Sequence, residues 1–158
     1  MRITIGAIAL GAVLLLAACS YKTEFVVINE SDQSINIRYK VKDFPGPFAP
    51  PVTPATIVAS QLNMHGDQQW EVLTPAQYQI DQENRTITVR LMPHEALRVA
   101  SMHKYGGHNN LRDAEHFPIE EIVIMGSADE LVLKGQQALE TFSNLSKALY
   151  TLTYKRNL

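Results

Sequence analysis

The chain has 158 residues and a formal net charge of −2, with 14 lysines and arginines against 16 aspartates and glutamates. A mildly acidic chain without a basic run is a poor candidate for nucleic-acid binding, and it lacks a basic face for anionic lipid. Its single cysteine excludes an intramolecular disulfide, so an ordinary hydrophobic core must stabilise the fold.

The first residues have the layout of a secretory signal peptide. A short basic start precedes an apolar run over residues 3–16, which is too short and wrongly flanked to span a membrane. The run ends at Leu16-Ala17-Ala18-Cys19, which resembles the lipobox of bacterial lipoproteins. The resemblance implies cleavage between Ala18 and Cys19. It also implies a diacylglycerol on the sulfur of Cys19 and a fatty acid, such as palmitate, on its new amino group.

The lipid implied by the resemblance would determine the location of the protein in the cell envelope. One acyl chain binds a bilayer only reversibly, whereas three chains on one residue give near-permanent attachment. In the sorting rule that such lipoproteins follow, Asp after the cysteine favours the inner membrane. Ser20 stands there instead, which implies the periplasmic face of the outer membrane. We therefore expect a signal peptide (1–18), a lipidated N-terminus with a short tether (19–23) and a single domain (24–158).

Short strand-like runs fill the expected domain. Residues 35–41 alternate apolar and polar side chains, which is typical of a strand with one solvated face. With residues 25–28 they predict a hairpin. The later predicted strands are 55–62, 69–73, 78–80, 85–91, 95–103, 121–125, 131–133 and 150–154.

One segment has helical periodicity. Leu139, Phe142, Leu145 and Leu149 are spaced by three, three and four residues, which predicts a short helix. Nine or ten strands separated by turn residues predict a mostly β fold. We expect an antiparallel β-sandwich, immunoglobulin-like, with at most one or two short helices. The Cys…Trp…Cys signature of immunoglobulin domains is absent, so this expectation depends on the strand pattern alone.

Three Met/His pairs raise the possibility of metal binding. They are Met64-His65, Met92-Pro93-His94 and Met102-His103. Thioether sulfur suits Cu(I), so the pairs could serve periplasmic copper handling if the fold brought them together. The alternative is that these residues have ordinary roles in turns and in the core.

The motifs of common enzyme classes are missing. There is no Gly-x-Ser-x-Gly elbow, and lipid would block the only thiol. His94-Glu95 lacks the second histidine of a zinc-protease helix, because Arg98 stands four residues on. We therefore expect no catalysis and no cofactor, and an envelope hydrolase is the catalytic alternative.

Two loops carry candidate partner-binding residues. Residues 43–54 hold five of the eight prolines together with Phe44 and Phe48, and a second loop carries Tyr105 and His108. Aromatic side chains on loops supply contact area at low entropic cost. Alternatively, Phe44 and Phe48 fold back and seal the core. The sequence thus predicts a membrane-anchored binding or scaffold module with an envelope protein as partner.

Overall fold

Strands dominate the structure, a computed structural model that describes residues 21–44, 52–53, 56–59, 69–104, 115–146 and 148–155. Within these residues, one helix, α1, spans Gly135–Thr141, and one 3₁₀ turn spans Pro75–Gln77. The strands are β1 (Tyr21–Asn29), β2 (Ile35–Val41), β3 (Thr56–Ala59), β4 (Glu71–Val72), β5 (Tyr78–Asp81), β6 (Thr86–Leu91), β7 (Glu95–Lys104), β8 (Ile119–Met125), β9 (Glu130–Lys134), β10 (Ser143–Ser146) and β11 (Leu149–Tyr154).

The strands form two sheets that pack face to face. One sheet has the order β10-β11-β1-β7-β3-β4 and the other the order β5-β6-β2-β8-β9. A single cluster of buried side chains joins both, with Phe25 and Leu97 from the first sheet and Ile37 and Ile122 from the second. The mostly β sandwich predicted from the sequence is therefore confirmed, while its immunoglobulin-like topology stays a prediction.

One strand pair departs from the expected antiparallel arrangement. β1 pairs with β11 in parallel, with Phe25 opposite Tyr150 and Val27 opposite Leu152. This pairing joins the first and last described strands at the middle of the six-stranded sheet. Periodicity within a segment predicts a strand but not its partner, so a parallel pair could not be predicted from the sequence.

β2 confirms the clearest alternation in the sequence. Ile35, Ile37, Tyr39 and Val41 are buried, whereas the residues between them are exposed or half-buried. β2 lies at the centre of its sheet, between β6 and β8. Its apolar face therefore meets the core and its polar face stays outside, as the period of two requires.

A bulge in β7 places two consecutive side chains in the core. Phe25 lies opposite Ala100, and the next residue, Val26, lies opposite Arg98, so β7 carries an extra residue at Val99. Val99 and Ala100 are both buried in the main cluster. A bulge sets two residues of one strand against one of its neighbour, which breaks the strict alternation at this point.

β1 begins earlier than the sequence indicated. The strand starts at Tyr21, which lies opposite Lys104 of β7, so residues 21–23 are paired although we expected a tether. Thr23 is fully buried there. The polar character of these residues suggested a linker, but pairing with β7 supplies hydrogen bonds that local sequence patterns do not reveal.

The predicted C-terminal helix is shorter and earlier than its periodicity suggested. α1 ends at Thr141, Phe142 closes it, and the chain then enters β10, which pairs with β11. Ala138 and Leu139 are the buried residues of α1, whereas Leu145 lies on β10 and is 39% exposed. The apolar residues that suggested one helical face are thus divided between a helix and two strands. No helix in the described residues is long and apolar enough to cross a membrane.

Candidate functional site

The ends of three strands gather at the N-terminal end of the sandwich. We use this term for the start of β1 at Tyr21, the end of β2 with residues 41–44, the end of β7 at Lys104, and residues 115–119. Tyr21 lies opposite Lys104, and Val41 lies opposite Ile119. The two segments predicted to bind a partner therefore both leave the sandwich at the end where the chain enters it. Phe48, Tyr105 and His108 themselves lie outside the described residues.

Phe44 is held at this end by a basic neighbour. The Lys42 ammonium lies 5.3 Å from the centre of the Phe44 ring. The same ammonium donates a hydrogen bond to the backbone oxygen of Glu115 at 2.8 Å, and the Lys42 amide donates to the oxygen of Pro118 at 2.8 Å. A cation over an aromatic face contributes about 0.5–1 kcal/mol at exposed sites. Phe44 is half-buried, so part of its ring remains accessible.

A group of aromatic rings packs in the core, with Phe117 at the N-terminal end of the sandwich. Phe117 is fully buried, and its ring centre lies 4.9 Å from that of Phe25 and 6.0 Å from that of Phe142. Edge-to-face packing of this kind is favourable beyond the area it buries. Phe117 therefore helps to close the core, while the alternative that Phe44 and Phe48 seal it stays a prediction. The signal in the sequence is a Phe-Pro pair directly before the apolar strand β8.

A charged group lies on the face of the six-stranded sheet that points away from the core. Glu24 Oε1 accepts hydrogen bonds from Lys22 Nζ and from Arg98 Nη1, both at 2.8 Å. Trp70 covers the Arg98 guanidinium, whose carbon lies 5.1 Å from the ring centre. Burial raises the pKa of Glu24, but the hydrogen bonds from Lys22 and Arg98 outweigh it and hold the pKa below its ordinary value.

This charged group fixes strands and does not suit acid catalysis. A carboxyl whose pKa is lowered stays ionised at neutral pH, so Glu24 cannot act as a proton donor there. The ion pair of Arg98 and Glu24 joins β7 to β1, the first described strand. Nothing in our sequence analysis singled them out. The available signal was Lys22 and Glu24 two residues apart, which puts both on one face of a strand.

Met92 and His94 lie in the turn between β6 and β7, at the opposite end of the sandwich. Met92 is 46% exposed. His94 has a left-handed backbone with φ of 63°, and its Nε2 lies 3.9 Å from Asp32 Oδ1, with both side chains exposed. The Met92 amide donates to Glu95 Oε2 at 2.8 Å. These contacts are those of a surface turn.

Met102 is far from that turn. It lies near the other end of β7, half-buried against the main core and opposite Thr23. Seven residue steps of β7, from Glu95 to Met102, separate it from that turn, which corresponds to roughly 23 Å. Within the described residues, no group of three or more His, Cys, Asp or Glu side chains could hold a metal ion. Met64, His65 and the side chain of His103 lie outside the described part, so copper binding stays a prediction.

Buried Asn29 organises the end that carries His94. Its side-chain amide donates to the backbone oxygens of Gln33 at 2.8 Å and Met92 at 3.0 Å, while its oxygen accepts from the Ser31 hydroxyl at 2.6 Å. The His94 amide in turn donates to the Asn29 backbone oxygen at 2.8 Å. We predicted a hairpin of residues 25–28 with 35–41, and this prediction is wrong, because β1 and β2 belong to different sheets. The Asn29 side chain instead ties the connection between the sheets to the turn after β6.

The predicted lipidation and cleavage residues, Cys19 and Ala18, precede the described part of the chain. Of the predicted partner-binding residues, the structure describes Phe44 alone. Neither a family model, nor a curated protein, nor a solved structure matches this chain.

Proposed function

We propose that this chain is a bacterial lipoprotein, anchored through acylated Cys19 to the periplasmic face of the outer membrane. There it acts as a non-catalytic binding or scaffold module for an envelope assembly. The observation that carries the proposal is the position of β1, which starts at Tyr21, two residues after Cys19 of the lipobox.

The short connection restricts where the domain can work. Two extended residues span at most about 7 Å, which is no more than the thickness of one headgroup layer. A domain joined so closely to a lipidated residue stays against the bilayer. Its N-terminal end, with Lys42 and Phe44, is then presented next to the membrane surface.

The character of the described side chains favours recognition over chemistry. The ion pairs of Lys40 with Glu120 and of Lys134 with Glu121 lie on the surface of the strands. Glu24, whose side chain is only 14% exposed, is committed to Lys22 and Arg98. Phe44, in contrast, combines an accessible ring with a fixed position, which is how aromatic contact residues act at interfaces.

Site-specific photocrosslinking in intact cells tests the proposed module. A photoreactive amino acid at position 44 should capture one specific envelope protein. The matched control is position 92, an exposed apolar residue at the opposite end of the sandwich, which should not capture that protein. The proposal fails if position 44 yields no adduct under several growth conditions, or the same adducts as position 92.

A further inference from the structure

β9 leaves an unusual edge on the five-stranded sheet. The strand spans Glu130–Lys134 and pairs with β8 alone among the described strands. Leu131 and Val132 are each 40% exposed. An edge strand presents unpaired backbone groups, and exposed apolar side chains beside them favour pairing with another strand.

The other described edge strands are less suited to pairing. β10 has a register shift between Asn144 and Ser146, β4 is two residues long, and β5 pairs with β6 over four residues. β9 pairs with β8 over five consecutive residues without a shift. It is the longest of the described edge strands with unbroken register, and bulges or short length are the usual protection of such edges.

The hairpin between β8 and β9 determines which backbone groups face outward. The Gly126 amide donates to the Asp129 oxygen at 2.9 Å, directly before the Met125–Glu130 pair. Hydrogen-bonded and non-bonded pairs alternate in an antiparallel ladder. Leu131 and Leu133 therefore bond to β8. The backbone groups of Glu130, Val132 and Lys134 face the free edge.

We infer that the free edge of β9 binds β9 of a second copy of this chain, antiparallel and centred on Val132. In that register Glu130 lies opposite the partner's Lys134, and Lys134 opposite the partner's Glu130. Val132 meets the partner's Val132, and all three outward-facing residues form hydrogen-bonded pairs. Such self-complementarity is the requirement of a two-fold interface.

The charges of the edge fit a second copy. Glu130 forms no ion pair with any described residue, and the three strand residues that follow it are apolar. Lys134 Nζ already lies 2.7 Å from Glu121 Oε2, yet its side chain is 68% exposed and can accept a second carboxylate. Opposite charges directly across two strands stabilise the pair, and like charges destabilise it.

The symmetry is compatible with two membrane anchors. The two-fold axis of an antiparallel strand pair runs perpendicular to the sheet. Both copies therefore place the six-stranded sheet, which contains β1, on the same side. When each sandwich lies flat with that side towards the bilayer, both Cys19 residues reach one membrane, and the N-terminal end of each copy stays next to it. Attachment to one surface also raises the effective concentration of the copies, which assists a short interface. This last point depends on the proposed lipid anchor, whereas the strand pairing itself does not.

Cysteine crosslinking of the full chain in cells tests the pairing. Val132→Cys should give a disulfide-linked dimer, because position 132 meets its own copy. Val72→Cys is the matched control, since Val72 is 79% exposed on β4, at the edge of the other sheet. Dimer yields from Val132→Cys no higher than those from Val72→Cys would overturn the inference. The natural Cys19 is common to both variants.

Charge reversal separates the proposed register from random collision. In the Val132→Cys background, Glu130→Lys or Lys134→Glu alone should lower the dimer yield roughly tenfold, since two opposite-charge pairs become like-charge pairs. Co-expression of the two variants should restore crosslinking as a heterodimer. A yield that does not respond to either reversal, or is not restored by co-expression, would contradict the register. Crosslinking also reports independently of the anchor when it is repeated with Cys19→Ala.

Discussion

Arg98 on β7 donates a hydrogen bond from Nη1 to Glu24 Oε1 on β1 at 2.8 Å, with only 21% and 14% of the two side chains exposed. Replacing Glu24 by Gln should reduce the free energy of unfolding at neutral pH by about 1–2 kcal/mol, because the neutral amide can accept the same hydrogen bonds but without the charge that strengthens them. Urea unfolding of the two proteins measures the difference.

The same pair predicts a pH dependence with a definite sign. The pKa of Glu24 in the folded protein lies below its ordinary value of 4.5. Its contribution to stability is therefore complete above about 4.5 and is lost as the pH falls through the lower folded pKa. The stability difference between the wild type and Glu24→Gln should shrink over that window. Glu83→Gln, in an exposed turn, is the control, and equal behaviour of both variants would refute the role of Glu24.

Phe117 and Phe44 should respond differently to truncation. Phe117→Ala removes a fully buried ring that contacts Phe25 and Phe142, and should lower the free energy of unfolding by about 3–5 kcal/mol. Phe44→Ala should lower it by less than about 1 kcal/mol, since its main described contact is a cation over the ring. Chemical denaturation compares them. Equal losses would mean that Phe44 also seals the core.

Asn29 should be essential to the end of the sandwich that carries His94. Asn29→Ala leaves the backbone oxygens of Gln33 and Met92 without a buried donor and should lower the free energy of unfolding by about 2–3 kcal/mol. Ser31→Ala, which removes one bond to Asn29, is the milder control. Hydrogen exchange should also become faster in both turns of the Asn29→Ala protein. Faster hydrogen exchange in only one of the two turns would contradict the role of Asn29 in joining them.

The residue after Cys19 should determine whether the protein is located in the inner or the outer membrane. Ser20→Asp should move the protein from the outer to the inner membrane, if the sorting rule implied by the lipobox holds for this chain. Sucrose-gradient separation of the two membranes provides the measurement, with Ser20→Thr as the control. Outer-membrane location of the Ser20→Asp protein would mean that another signal sets the address.

Local periodicity was sufficient to predict most strands. The alternation from Ile35 to Val41 predicted β2 at its observed bounds, and the apolar run at 121–125 lies within β8. Local periodicity does not predict which distant segments pair with each other. Pairing with β11 converts residues 143–146 from the predicted helix into β10, and pairing with β7 extends β1 back to Tyr21.

The candidate site was predictable only in part. Proline and aromatic composition indicated the segment around Phe44, but not that Lys42 holds its ring or that Phe117 packs against Phe25 in the core. These relationships depend on β2 and β8 meeting at one end of the sandwich, which one sequence does not reveal. The hairpin between β8 and β9 likewise determines that the backbone groups of Glu130 and Lys134 face the free edge, and one sequence does not reveal this.

The most direct test of the central claim is the membrane location of Cys19→Ala. Cells expressing the wild type or the variant are labelled with a radioactive or clickable palmitate analogue and then fractionated. We expect the wild type to be labelled and to sediment with membranes, whereas Cys19→Ala should be unlabelled and should appear in the soluble fraction. A Cys19→Ala protein that still carries the label, or still sediments with membranes to the same extent, would contradict the lipid anchor.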